Sequence, residues 1–143
     1  MRRAVLLLVL LTGACGGDEP AAAPSPGTAT ATVGDVRLRV ELAETAEQWS
    51  AGLRGREVLP GFGMVFIYPA PQPVRFTMSG VTLPLVGVFV RDGRTVSVEQ
   101  MAPCEGSLAD CPTYGPAEPV DTVVESAPGS LPDAVAGDPV VVG

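Results

Sequence analysis

The chain has 143 residues, a formal net charge of −7, nine basic residues that are all arginine, and no histidine. The absence of histidine removes the commonest zinc and copper(II) ligand and the usual neutral-pH general base. Set aside Arg2 and Arg3 of the leader described below, and seven arginines face sixteen acids, a net of −9 that repels phosphate backbones and argues against a nucleic-acid partner. Gly and Pro number 17 and 15, a composition that favours short strands joined by turns over long helices.

Arg2-Arg3 is a charged n-region, and Ala4 to Leu11 an apolar stretch too short to span a bilayer as a helix. Thr12-Gly13-Ala14 places small residues directly before Cys15. This pattern resembles a bacterial lipoprotein signal over residues 1–14, with Cys15 acylated and held in membrane lipid on the extracytoplasmic side. Leu11 stands four residues before the cysteine, where such signals usually carry leucine three before it. A multiply acylated cysteine anchors stably, at about 0.8 kcal/mol per buried methylene. Residues 15–32 hold no large apolar side chain and read as a disordered tether, with a β domain over 33–143.

Val36, Leu38, Val40 and Leu42 alternate with Arg37, Arg39 and Glu41, the period of a strand with one dry face. Thr45-x-x-Gln48 predicts a capping box opening a short helix, whose stripe is Ala46, Trp49 and Leu53. Trp49 reads as a core anchor more readily than as a ligand platform. Phe62 to Tyr68 is apolar on both faces, the mark of a strand covered on both sides. Pro69, Pro71 and Pro73 predict a loop, and Val74, Phe76 and Met78 a following strand. Val86–Val90 is a fully apolar run, and Asp92-Gly93 signals a tight hairpin into a strand with Val96 and Val98 inward and Thr95, Ser97 and Glu99 outward. Two further strands are expected over 120–125 and 139–142. The fold class is therefore mainly β: a compact antiparallel sandwich or small barrel with one short helix.

Cys104 and Cys111 have six residues between them, and in an exported chain they most simply form a disulfide worth about 2.5 kcal/mol on the chain-entropy model. Two thiolates without histidine fall short of a zinc site, and no metal or other cofactor is expected. Met64, Met78 and Met101 raise a thioether copper(I) site as an alternative to core filling, the latter favoured because Met64 and Met78 share strand faces with Phe.

From about Val36 to Val142 the chain resembles the domain of unknown function 192 family of small, often exported bacterial and archaeal proteins. The matching runs are Gly52-Leu53-Arg54-Gly55-Arg56, Gly63-Met64-Val65-Phe66, Phe76-Thr77-Met78 and Leu83-Pro84-Leu85. The segment from Met101 to Tyr114 looks like the disulfide-bearing loop of the family's actinobacterial members. Thr77, Gly80-Val81 and Val86 stand where the family pattern carries Trp, Asn-Thr and Asp. The resemblance implies a β-sandwich-like fold and brings no established reaction.

Arg54, Arg56 and Arg75, with Phe76 and Met78, are the candidate ligand-binding residues, Arg56 being placed to hold a carboxylate in a two-point grip. The competing reading has Arg54 and Arg56 cap helix carbonyls or pair with Glu44, Glu47 and Glu57 on the surface. Catalysis would need a carboxylate pair, for which Glu99, Glu105 and Asp110 are the nearest residues, and an enzyme is not expected. The expected role is a tethered extracytoplasmic module that binds a small ligand or an envelope component. The rival is a structural lipoprotein acting through protein contacts.

Overall fold

The computed structural model describes residues 26–57 and 61–143. The leader, Cys15 and the first part of the expected tether lie outside the described residues. The strands are β1 (Thr28–Val33), β2 (Val36–Ala43), β3 (Phe62–Gln72), β4 (Phe76–Thr77), β5 (Leu85–Arg91), β6 (Arg94–Met101), β7 (Thr113–Tyr114), β8 (Val120–Ser126) and β9 (Val140–Val142), with one helix, α1 (Ala46–Ala51).

Seven strands form one sheet in the order β6-β5-β8-β3-β2-β1-β9, and β4 pairs with β7 apart from it. The sheet curls until its two ends meet. Thr95 N–H donates to the Asp138 carbonyl at 2.9 Å, Gly137 N–H to the Thr95 carbonyl at 2.7 Å, and Val140 N–H to the Gly93 carbonyl at 2.9 Å. These bonds leave no long free edge, which is how a small barrel avoids edge-to-edge association. The fold is thus barrel-like, as expected, and mostly antiparallel. One pair, β2 with β3, is parallel, because the connection through α1 carries the chain back to its starting end before β3 begins.

Folded structure starts at Thr28 rather than at Val33. The Thr-Ala-Thr-Ala-Thr run has no large side chain, yet it pairs with β2 over six residues, and Ala31 is fully buried. Small residues suffice there because the neighbouring strand brings the bulk: Leu38 and Val40.

Apolar residues lie on both faces of the central strands. Val33, Leu38, Val40, Val65, Val86, Val88, Val90, Val124 and Val140 belong to one cluster, which fills the barrel interior. Met64, Phe66, Leu85, Phe89, Met101 and Val123 point to the outer face, where Leu53, Val74, Met78 and Val81 cover them. Burial of each such side chain stabilises the fold by about 1.5–3 kcal/mol.

α1 has its capping box: Thr45 Oγ1 accepts from Gln48 N–H at 3.3 Å, and Gln48 Oε1 accepts from Thr45 N–H at 3.2 Å. Gly52 ends it at φ 49°, a left-handed conformation that suits glycine. The Asp92-Gly93 turn has φ 50° and 69°, both positive as a type I′ hairpin requires.

Two expectations are corrected. The proline segment is not a separate loop, since β3 continues through Pro69 and Pro71 to Gln72. Its pairing with β8 stops at Ile67–Thr122 and resumes only at Gln72–Val120, so the prolines sit where no ladder donor is needed. Second, a register shift next to Phe89 and Val90 makes Val96 an extra residue in β6. Val96 then packs on the outer cluster and Val98 on the inner one, while Thr95 is buried.

Candidate functional site

A cavity of about 430 Å³ opens on the outer face of the sheet, between α1 and its following turn, the end of β3, and the segment leading into β4. Aromatic rings build its walls. Trp49 from α1 and Tyr68 from β3 lie with centroids 4.9 Å apart at 47°, and Phe66 meets Phe76 edge-on at 4.8 Å and 87°. Trp49 is fixed by a 2.9 Å hydrogen bond from its Nε1 to the Ala43 carbonyl, at the end of β2. It is therefore both anchor and wall. Capping by Thr45 sets where α1 starts, and so where Trp49 stands along it.

Glu125 of β8 also lines this space, and it is 4% exposed. Its carboxyl has no hydrogen-bond or ion-pair partner among the described residues. Burial pushes it up to about 8, so it carries its proton at neutral pH. Tyr68 is raised to about 12, by burial first and by the Glu125 charge second. A buried acid without a partner, open to an aromatic cavity, is the chemically distinctive feature of the molecule.

The sequence reading did not single out Glu125. Its signal was present: on a strand, Glu125 falls in phase with Val123 and Ala127, both buried in the outer cluster. An ionisable residue in step with core residues is the pattern to look for.

The expected site residues divide. Arg54, Arg75 and Phe76 line the cavity. Arg54 is exposed; its Nε donates to the Ser79 carbonyl at 3.2 Å, and its stem lies against Gly80. Arg75 Nη1 donates to the carbonyls of Val74, Gly115 and Pro116, so it ties the 115–116 segment down beside the cavity. Glu99 supports the same segment by accepting from Gly115 N–H at 3.2 Å.

Arg56 and Met78 do not line the cavity. Arg56 grips Glu41 through two bonds of 2.6 and 2.7 Å, a two-point pairing within the protein rather than with a ligand. Its partner is Glu41, not the Glu44, Glu47 or Glu57 expected for a surface pair. Met78 is buried with Met64 and Met101 in the outer apolar cluster. Among the described residues no three His, Cys, Asp or Glu side chains gather as a metal site. Glu99 and Asp110 are engaged locally, Asp110 by accepting from the Ser107 hydroxyl at 2.6 Å, and Glu105 is exposed.

Cys104 and Cys111 form the expected disulfide, with Cα atoms 5.9 Å apart. Its loop supports the cavity rim. Ser79 Oγ donates to the Gly106 carbonyl at 2.9 Å, Gly80 N–H donates to the Cys104 carbonyl, and Ser79 in turn accepts from Arg54.

No curated protein matches the chain. A crystal structure from Sinorhizobium meliloti 1021, described as a proposed transcription regulator, is 25% identical with a TM-score of 0.72, over 85% of this chain and 98% of that one. A protein of unknown function from Novosphingobium aromaticivorans DSM 12444 is 27% identical, also at a TM-score of 0.72, over 88% of this chain and 99% of that one. The family model described as Uncharacterized ACR, domain of unknown function 192 (DUF192), matches residues 29–141. The chain belongs to the DUF192 family.

Proposed function

We propose that this protein is an exported, lipid-tethered module that captures a small organic ligand in the cavity lined by Trp49, Tyr68, Phe76 and Glu125. One observation carries the reading: Glu125 is buried and unpartnered, and it borders the cavity. The Glu125 carboxyl opens onto the cavity, where a bound ligand can complete its hydrogen bonding. The cavity volume falls in the range of small-molecule sites, and its aromatic walls supply apolar contact area.

The leader pattern before Cys15 and the disulfide between Cys104 and Cys111 support an extracytoplasmic setting. Transcriptional regulation is not carried over from the Sinorhizobium structure, because a net charge of −7 opposes DNA binding.

The test is capture. The full chain, incubated with small molecules extracted from the native source and washed, should retain a species identifiable by mass spectrometry. Ala51→Trp, at an exposed rim position, should release it by filling the mouth. Equal retention by both forms, or none by either, contradicts the reading. Cys15→Ser should move the protein from the membrane fraction to the soluble one, and an unchanged distribution removes the tether.

A further inference from the structure

Two features of the cavity specify a ligand more narrowly than size and shape do. Its inner wall presents one acid, Glu125, with no countercharge among the described residues. Its rim presents Arg54, whose Nε is occupied by Ser79 while its two terminal nitrogens have no partner among the described residues. Trp49, Tyr68 and Phe76 line the same cavity. We propose that the ligand is a small zwitterionic amine, its cationic nitrogen seated against Glu125 among the aromatic rings and its anionic group held at the rim by Arg54. This proposal rests on the capture reading above and names the chemical class that the cavity takes.

The physical case follows from the polarity of each group. A ring face is the negative end of an aromatic quadrupole, so Trp49 and Tyr68 favour a cationic head group once water is excluded. A carboxylate beside that head group supplies the countercharge. A neutral polyol would also hydrogen-bond to Glu125, but it would make no use of the free Arg54 nitrogens. A simple anion would meet Arg54 and leave the buried acid unpaired. A zwitterion uses both. The titratable or charged groups that line the cavity are Glu125, Tyr68, Arg54 and Arg75, and Arg75 is already committed to backbone carbonyls.

Binding carries a proton signature. The free acid is protonated at neutral pH, since burial raises it to about 8. Seating a cation against it favours the carboxylate, so the proton leaves to the buffer while the ligand nitrogen keeps its own charge. At pH 7 ligand binding should release a proton to the buffer. A hydroxyl-bearing ligand would release none.

The experiment is titration calorimetry of the detergent-solubilised full chain with γ-butyrobetaine, 5-aminopentanoate and 5,5-dimethylhexanoate, in two buffers of different ionisation enthalpy. The third probe has the shape of the first, with carbon in place of nitrogen. The betaine or the amine should bind at least tenfold more tightly than the carbon analogue, with a buffer-dependent enthalpy reporting proton release. Glu125→Gln should abolish both the discrimination and the release, and Arg54→Ala should weaken the zwitterions while leaving the release in place. Equal binding of the nitrogen and carbon analogues, binding without proton release, or no binding of any probe overturns the proposal. The release in the unmodified chain decides the matter even where a variant does not fold. A captured metabolite lacking a basic nitrogen would overturn this inference and leave the capture reading intact, whereas no cavity-dependent capture removes both.

Discussion

Gly63 passes so close to Glu125 that a Cβ added to the glycine would lie 2.2 Å from the Glu125 carbonyl oxygen. The contact is backbone to backbone, so no side-chain rotation relieves it. Gly63→Ala must therefore push β3 and β8 apart at the residue that carries the cavity acid. The expected cost is about 2–3 kcal/mol, read as a lower urea midpoint. Capture should weaken in the surviving folded fraction.

Glu125 makes the stability of the protein pH-dependent. Its folded value of about 8 lies above its ordinary 4.5. A raised acid contributes stability that is fully present below 4.5 and is lost as pH rises through 8, since the unfolded chain ionises first. Wild type should therefore lose stability on the order of a few kcal/mol between pH 5 and pH 8. Urea titrations at both pH values check this. Glu125→Gln should be nearly level across the same window and more stable than wild type at pH 8.

The Glu41–Arg56 pair should behave in the opposite sense. The hydrogen bonds from Arg56 hold Glu41 below the usual carboxylate range, against the opposing effect of its partial burial. Its contribution is present above about pH 4.5 and is lost as pH falls through the lowered value. Arg56 is 36% exposed, so solvent screening keeps the pair at no more than about 1 kcal/mol. Arg56→Ala should lower the thermal midpoint slightly at pH 7, less as the pH falls below about 4.5, and leave capture unchanged. Loss of capture would return Arg56 to the site.

Reduction of the Cys104–Cys111 bridge should act on both stability and binding. Cys104→Ser with Cys111→Ser should cost about 2.5 kcal/mol from loop entropy. The same loop holds Ser79 and Gly80, and through Ser79 the Arg54 side chain at the cavity rim. Affinity for a captured ligand should therefore fall in the reduced protein under conditions where it remains folded by circular dichroism. Unchanged affinity would show that the rim holds its shape without the bridge.

Local patterns in the sequence account for much of the fold. The alternation of β2, the double-faced run of β3, the Asp92-Gly93 turn and the Thr45–Gln48 box each depend on neighbours within a few residues, and each forms as expected. Non-local features were not legible. Whether β2 and β3 run parallel is decided by the path of α1 between them, and the fate of Val96 by a shift against its partner strand. Thr28–Thr32 resembles a linker in composition and becomes a strand because β2 and β9 flank it. The site was half visible. The cations Arg54 and Arg75 and the ring of Phe76 stand out by residue type. Arg56 has the same residue type and points to another use, because Glu41 lies across the strand from Met64, near the start of β3. The phase of Glu125 with Val123 and Ala127 places it on a core face, while its lack of a hydrogen-bond partner emerges only from the packed structure.

The most direct test is a carbon-13 NMR titration of the glutamate side-chain carboxyls in the ligand-free protein, wild type beside Glu125→Gln. One resonance should titrate near pH 8 in wild type and be missing from the variant. If every glutamate titrates between about pH 3 and pH 5, the acid is solvated or paired, and the cavity has no unmet group for a ligand to satisfy.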